Sequence, residues 1–138
     1  MNTELIFEIH FPAKADRLCL VRALVKRAGE LTGCNSELTD KLVIALNEAC
    51  MNVIQHAYKN DEPGEIVLKI LNNGSHLIFR LTDFAAPIDL DSVKPRELED
   101  LRPGGLGVYF IREIMDECRI GHLDGGAGNY LEMKKKID

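Results

Sequence analysis

The stretch that decides the fold is NEACMNVIQHAY, residues 47–58. Its apolar residues recur at helical spacing and continue a pattern from upstream, so it predicts the end of an amphipathic helix. Three polar residues, Glu48, Asn52 and His56, follow at spacings of four and form a stripe beside the apolar face. A carboxylate, an amide and an imidazole in line suit a hydrated Mg²⁺ ion and a chain of phosphates. The same spacing also fits polar residues on a solvated helix flank, and these residues alone leave both interpretations open.

The chain before this stretch predicts one strand and two helices. Alternating apolar residues indicate a strand over residues 4–11, and helical spacing indicates a helix over residues 14–32 that ends at Gly33. Asn35 and Ser36 can cap the second helix, which continues to about Tyr58. The apolar face of this second helix is predicted to consist of Leu42, Leu46, Ala49, Cys50, Val53 and Ala57.

The chain after this stretch predicts two strands, a helix and two further strands. These elements are predicted at residues 65–71, 76–82, 108–118, 119–123 and 130–137. The connection over residues 83–107 holds three prolines, three glycines and many charges, and a connection of this length is usually functional or mobile. We therefore expect residues 88–104 to form a mobile lid. The order of elements favours an α/β (α+β) two-layer sandwich, with an antiparallel or mixed sheet and helices on one face.

Composition and charge exclude several classes of protein. A chain of 138 residues has room for a single domain, residues 1–138. Seventeen Lys and Arg against 22 Asp and Glu give a net charge of −5, which disfavours direct nucleic-acid binding. The chain has no apolar run of about 18 residues for a membrane helix, and its acidic start is unlike a signal peptide. We interpret Lys134, Lys135 and Lys136 as the solvated edge of a final strand, without a function.

The cysteines point to a reducing compartment. They stand at positions 19, 34, 50 and 118, too far apart for a CxxC pair, and with the four histidines they show no zinc-ligand spacing. We expect reduced, mostly packed thiols and a cytoplasmic location.

Two further segments are candidates for ligand binding. Asp83 ends a predicted strand, where a carboxylate can accept a hydrogen bond from an exocyclic amine, although most aspartates at such places begin turns. The GGLG run at residues 104–107 opens the third predicted helix, where backbone N–H groups can approach an anion. A flexible start of a helix explains the same glycines. The glycines at residues 125–128, taken singly, fit a hairpin turn better than a ligand loop.

Together these segments resemble the sequence boxes of the GHKL ATPases, and most closely those of the anti-sigma factor serine kinases of bacterial partner-switching systems. Residues 47–58 resemble the N box, with Glu, Asn four later, His four later, and then a small residue and Tyr. Residues 83–89 resemble the next box, in which an aspartate meets adenine, and residues 104–112 resemble the glycine box between the lid and a helix. Residues 126–134 resemble the closing glycine box and last strand, so the resemblance spans nearly the whole chain.

The resemblance implies a Bergerat-type sandwich, with a mixed but mostly antiparallel sheet, that binds ATP and Mg²⁺ under a mobile lid. The residues that it implies in ATP binding are Asn52, His56, Asp83, Pro87, Gly104, Gly105, Leu106, Gly107 and Gly128. Asn52 would hold Mg²⁺, Asp83 would read adenine, and Glu48 would be the general base for an attacking hydroxyl. Ala85 stands where many relatives have glycine. Asn129 stands where threonine is common, which puts one hydroxyl contact in doubt.

The implied function is that of a protein serine/threonine kinase. It would phosphorylate an anti-anti-sigma (antagonist) protein with ATP, and otherwise sequester a sigma factor or another regulatory output protein. The alternative is a nucleotide-sensing binding module of the same fold, which holds a regulatory partner without phosphotransfer. Retention of both Glu48 and Asn52 favours the kinase. Relatives often act as dimers, so a homodimer is a further expectation.

Overall fold

Five strands form one sheet in the computed structural model, which describes residues 2–58, 64–86 and 111–137. Strands β1 to β5 are Glu4–Pro12, Glu65–Asn72, His76–Asp83, Glu117–His122 and Asn129–Lys136. Their order across the sheet is β1-β2-β3-β5-β4, and every neighbouring pair is antiparallel. The predicted sandwich with a mostly antiparallel sheet is confirmed.

Two long helices follow β1, as predicted. They are α1, Leu18–Leu31, and α2, Ser36–Asn52, and α2 continues as a π-helical turn, Val53–Ala57. Gly33 ends α1 with a φ of 87°, a value that glycine adopts without strain. The Asn35 side chain caps α2 by accepting a hydrogen bond from the backbone N–H of Leu38 at 2.8 Å. Residues 111–114 are also helical.

The core lies between these helices and one face of the sheet. Alternation along β3 places Leu77, Phe79, Leu81 and Asp83 on the buried face. The carboxylate of Asp83 is thus in phase with the core, which is unusual for a charged group. The core also includes Val21, Val25, Ala28, Leu42, Leu46, Cys50, Ile66, Leu68, Ile70 and Met133.

The opposite face of the sheet carries paired charges. Glu8 lies 3.5 Å from Lys69, and Arg80 lies 3.3 Å from Glu132, each pair joining neighbouring strands. The guanidinium of Arg80 also stacks over the ring of Tyr130, 4.3 Å from its centroid. These half-exposed pairs are typical of a solvated sheet face.

The prediction of a third helix over residues 108–118 is wrong at the C-terminal end. Residues 111–114 are helical, but Cys118 already belongs to β4. The cause is tertiary, because the carboxylate of Asp116 accepts a hydrogen bond from the backbone N–H of Lys136 at 2.6 Å. This bond holds the chain against β5 before another helical turn can form.

The prediction of a solvated edge strand is also wrong for Lys134, Lys135 and Lys136. Strand β5 lies between β3 and β4, so these lysines are on an interior strand. The ammonium of Lys135 lies 3.4 Å from the carboxylate of Asp116.

Two other expectations are not tested. The predicted lid, residues 88–104, lies outside the described residues, and the single domain over residues 1–138 stays a prediction. Over the described ranges, the helices are too short or too polar to cross a membrane.

Candidate functional site

The predicted polar stripe lies along the end of the second helix. Glu48 and Asn52 are half-buried in α2, and His56 is exposed in the π-helical turn. Within the part of the chain that the structure describes, these three side chains have no hydrogen-bond or ion-pair partner. A carboxylate and an amide one helical turn apart are therefore uncommitted to the fold and available to a ligand.

The π-helical turn changes which residues enter the core. The backbone N–H of Tyr58 donates to the carbonyl of Val53, five residues back, at 3.0 Å. This wider turn buries Ile54 and Tyr58, whereas Val53 and Ala57 are only half-buried. The apolar face predicted for this helix therefore holds at Val53, which is partly buried and packs against the core, but the prediction omitted Ile54 and Tyr58, which are buried.

Tyr58 joins the end of this helix to two strands. Its hydroxyl donates to the carbonyl of Glu65 at 2.8 Å and accepts a hydrogen bond from the backbone N–H of Phe84 at 2.8 Å. A Cβ on Gly64 would overlap the Tyr58 ring, so the glycine lets the backbone pack against it. Burial raises the pKa of Tyr58 above its ordinary value, which keeps the hydroxyl proton in place as a donor. Our sequence prediction gave Tyr58 no role, although the tyrosine is part of the N-box pattern.

Asp83 is a buried carboxylate held by two donors. Its side chain is 5% exposed, and its Oδ1 accepts from the backbone N–H of Ala85 at 3.0 Å and from Nδ2 of Asn129 at 2.9 Å. Burial raises the pKa of Asp83, and these two hydrogen bonds partly oppose the rise. The described residues supply no donor to the other oxygen, Oδ2. One carboxylate oxygen is thus left to a ligand.

Asn129 lies in the site at the position where threonine is common in the family, and the sequence prediction assigned it no role. It is 2% exposed and lies opposite Asp83 in the ladder between β3 and β5. Its Nδ2 donates to Asp83 and also to the carbonyl of Ala86 at 3.1 Å. The signal in the sequence was the threonine that is common in the family at this position.

Gly128 brings the start of β5 against the end of β3. A Cβ at this position would overlap the backbone oxygen of Asp83 and lie 3.0 Å from Cα of Phe84. Only glycine therefore fits here without moving backbone. We call the group of Asp83, Phe84, Gly128 and Asn129 the strand-end corner.

The structure unites part of the predicted site. Asp83 and Gly128 meet in the strand-end corner, and Tyr58 connects this corner to the helix end that carries His56. Pro87, Gly104, Gly105, Leu106 and Gly107 lie outside the described residues. Their contacts with a ligand stay predictions.

The arrangement suits a ligand with an amine at one end and anionic groups at the other. The strand-end corner offers one carboxylate oxygen as an acceptor, and the helix offers a carboxylate, an amide and an imidazole. The described ranges contain no cluster of three His, Cys, Asp or Glu side chains that could hold a metal by itself. A hard cation here would therefore need ligand oxygens as well, as Mg²⁺ does when it binds with nucleotides.

Comparison with known sequences identifies the family. The model of the histidine kinase-like ATPase domain matches residues 11–135. The serine-protein kinase RsbW of Bacillus cereus (strain AH187) is 30% identical over 126 residues, covering 86% of this chain and 78% of that protein. RsbW of Bacillus thuringiensis (strain Al Hakam) matches with the same identity and coverage.

Solved structures share the fold. The RsbU and RsbW domains of a Mycobacterium tuberculosis protein align with a TM-score of 0.67 at 17% identity, covering 99% of this chain. This chain spans 32% of that longer protein. The Pseudomonas aeruginosa SiaB–SiaC complex aligns with a TM-score of 0.67 at 13% identity, covering 97% of this chain and 91% of its counterpart. The chain belongs to the histidine kinase-like ATPase domain family, and the serine-protein kinases RsbW are its relatives.

Proposed function

We propose that this protein is an ATP-dependent serine/threonine kinase that acts as an anti-sigma factor. In this proposal it transfers the γ-phosphate of ATP to a hydroxyl of an anti-anti-sigma protein, and otherwise sequesters a sigma factor. The family match supports ATP use, and the RsbW relatives support a protein substrate. We further propose that it works in the cytoplasm, where both partners would be found.

The observation that carries the proposal is the uncommitted pair on α2. Glu48 and Asn52 are half-buried, one turn apart, and without partners among the described residues. The polar atoms of both side chains reach solvent, so both groups are accessible to a bound ligand. A pair left open in this way supports a role in binding or catalysis more than a role in folding.

The donor set fits Mg²⁺. Mg²⁺ prefers oxygen ligands and usually combines one or two protein oxygens with phosphate and water. The side-chain oxygen of Asn52 supplies a neutral ligand of this kind, and we assign it to the ion. When bound, the ion neutralises negative charge on the phosphates.

Glu48 is assigned as the general base. A serine hydroxyl becomes an effective nucleophile when its proton leaves as its oxygen bonds to phosphorus. Glu48 would accept that proton while the bond from phosphorus to the β-phosphate oxygen breaks and ADP leaves. Its position one turn from Asn52 supports this assignment, because a carboxylate there would lie beside the proposed magnesium ligand.

The strand-end corner is assigned to adenine. The Oδ2 atom of Asp83 would accept a hydrogen bond from the exocyclic amine, and Gly128 would let β5 pack closely against the end of β3 beside it. His56 would contact phosphate oxygens from the exposed side of the π-helical turn. We also propose ATP contacts for Pro87 and for the glycine box at residues 104–107.

The test is a single-turnover phosphotransfer assay with Glu48→Gln. The substrate is a protein that wild type labels from radioactive ATP in an extract of the source cells, purified before use. Glu48→Gln retains the shape and hydrogen bonding of the side chain but cannot act as a base. A general base contributes about 10²–10⁴ in rate, so we expect transfer to be slower by at least about tenfold, with unchanged Mg·ATP affinity.

Glu37→Gln is the matched control, because Glu37 is an exposed glutamate in the first turn of the same helix. Its transfer rate should equal that of wild type. Undiminished transfer by Glu48→Gln would remove Glu48 from the role of base. Nucleotide binding by wild type without transfer to any extracted protein would instead support a nucleotide-sensing binding module.

A further inference from the structure

We propose that Asn129 makes the nucleotide site select adenine over guanine. Its amide occupies one oxygen of Asp83, so the carboxylate cannot accept hydrogen bonds from a base through both oxygens. This inference rests on the proposed function of the strand-end corner as the base-binding site. It assigns a specificity role to a residue that our sequence prediction treated only as a departure from the family pattern.

The first step is the saturation of Oδ1. A carboxylate has about four acceptor positions, two on each oxygen. The backbone N–H of Ala85 and Nδ2 of Asn129 fill both positions on Oδ1, at 3.0 and 2.9 Å. The described residues donate nothing to Oδ2. The acceptors that remain for a base are therefore on a single oxygen.

The second step is the difference between the two purines. Adenine presents one exocyclic amine on its pairing edge, and a single carboxylate oxygen is enough to accept from it. Guanine presents a ring N–H beside an amine, and these two parallel donors match the two oxygens of an open carboxylate, as in other fork-shaped pairs. A carboxylate whose Oδ1 is already saturated can accept a hydrogen bond from only one of these two donors. Guanine would also turn its carbonyl oxygen toward the remaining acceptor, which is repulsive.

The third step is that Asn129 cannot easily turn away. Its side chain is 2% exposed, and the same Nδ2 also donates to the carbonyl of Ala86 at 3.1 Å. The ladder fixes its backbone directly opposite Asp83, and Gly128 holds the two strands close together. A hydroxyl has one hydrogen and could satisfy only one of the two acceptors at a time. The amide therefore holds its hydrogen bond to Oδ1 more rigidly than a hydroxyl would.

A panel of bases tests the inference on the wild-type chain. Binding of the Mg²⁺ complexes of ATP, diaminopurine triphosphate, inosine triphosphate and GTP is measured by calorimetry. The first two carry the amine that Oδ2 would accept, and the last two carry a carbonyl in its place. We expect the amine-bearing pair to bind at least about tenfold more tightly, the size of one charge-assisted hydrogen bond. Equal binding of ATP and GTP would overturn the inference without any variant.

Variants at position 129 then identify the residue responsible. Asn129→Ala releases an acceptor position on Oδ1, so the ratio of ATP to GTP affinity should fall about tenfold, with a gain for GTP. Asn129→Thr restores one donor and should retain most of the discrimination. Thermal unfolding verifies that each variant is folded. If Asn129→Ala does not fold, the comparison of Asn129→Thr with wild type decides, because its single donor should give a smaller ratio.

The outcomes separate this inference from the proposed function. If wild type binds none of the four nucleotides, the base-binding site itself is wrong. If wild type prefers ATP and Asn129→Ala retains the full preference, the site stands and the role of Asn129 is refuted. A parallel loss of ATP and GTP binding in Asn129→Ala would show a merely structural role and would also refute it.

Discussion

Tyr58→Phe should destabilise the protein out of proportion to the single oxygen that it removes. The hydroxyl makes two hydrogen bonds of 2.8 Å, one to the carbonyl of Glu65 and one from the backbone N–H of Phe84. The tyrosine is 6% exposed, so water cannot easily replace the oxygen. Each lost bond contributes about 1 kcal/mol, and an unpaired buried N–H adds about 1 kcal/mol or more. We expect a loss of about 3 kcal/mol in the free energy of unfolding.

Urea titration followed by circular dichroism measures this loss, and a thermal scan should show a melting temperature lower by about 10 °C. The control is Tyr130→Phe. Tyr130 stacks on Arg80 through its ring, and its hydroxyl has no hydrogen bond to the described residues. That variant should change the free energy of unfolding by less than about 0.5 kcal/mol. If the two variants differ by less than about 1 kcal/mol, Tyr58 does not bridge the helix end and the two strands.

Two further predictions concern the strand-end corner. Gly128→Ala should lower the free energy of unfolding by about 2 kcal/mol or more and abolish ATP binding, because the added Cβ meets the backbone of Asp83. Gly125→Ala, in open space with a φ of 80°, should lose only about 1 kcal/mol and retain ATP binding, and equal effects in the two variants would contradict the close approach. Asp83→Asn should abolish ATP binding yet gain stability relative to wild type as pH rises. Burial raises the folded-state pKa of Asp83 above its ordinary value of 3.8. The free energy of unfolding of wild type therefore falls as pH rises from 3.8 through the raised pKa, whereas that of Asp83→Asn does not change for this reason. Denaturant titrations at several pH values measure the stability difference between Asp83→Asn and wild type. A difference that does not vary with pH would contradict the raised pKa.

Local patterns predicted most of the elements. Period-two alternation located β1, β2 and β3, and helical spacing with Asn35 as a cap located α2 to within a residue at its start. The polar stripe of Glu48 and Asn52 was also visible, because both residues lie on one regular helix whose phase is set by spacing alone. These features depend on neighbours within a few positions, and such neighbours can be read directly from the chain.

The missed features depend on distant contacts. Asn129 and Asp83 are 46 positions apart, and their pairing requires the register between β3 and β5. The early end of the third helix likewise follows from the bond between Asp116 and Lys136. The π-helical turn at Val53–Ala57 was also not predicted, because no residue type in that stretch indicates such a turn.

The central place of β5 also determines when a newly made chain can complete the strand-end corner. Residues 129–136 are synthesised after the other four strands, yet they pair with both β3 and β4. Until they leave the ribosome, β3 is an open sheet edge and Asp83 has no amide opposite it. An unfinished translation product therefore exposes the edge of β3 and lacks Gly128 and Asn129, so the strand-end corner forms only when synthesis of the sheet is complete.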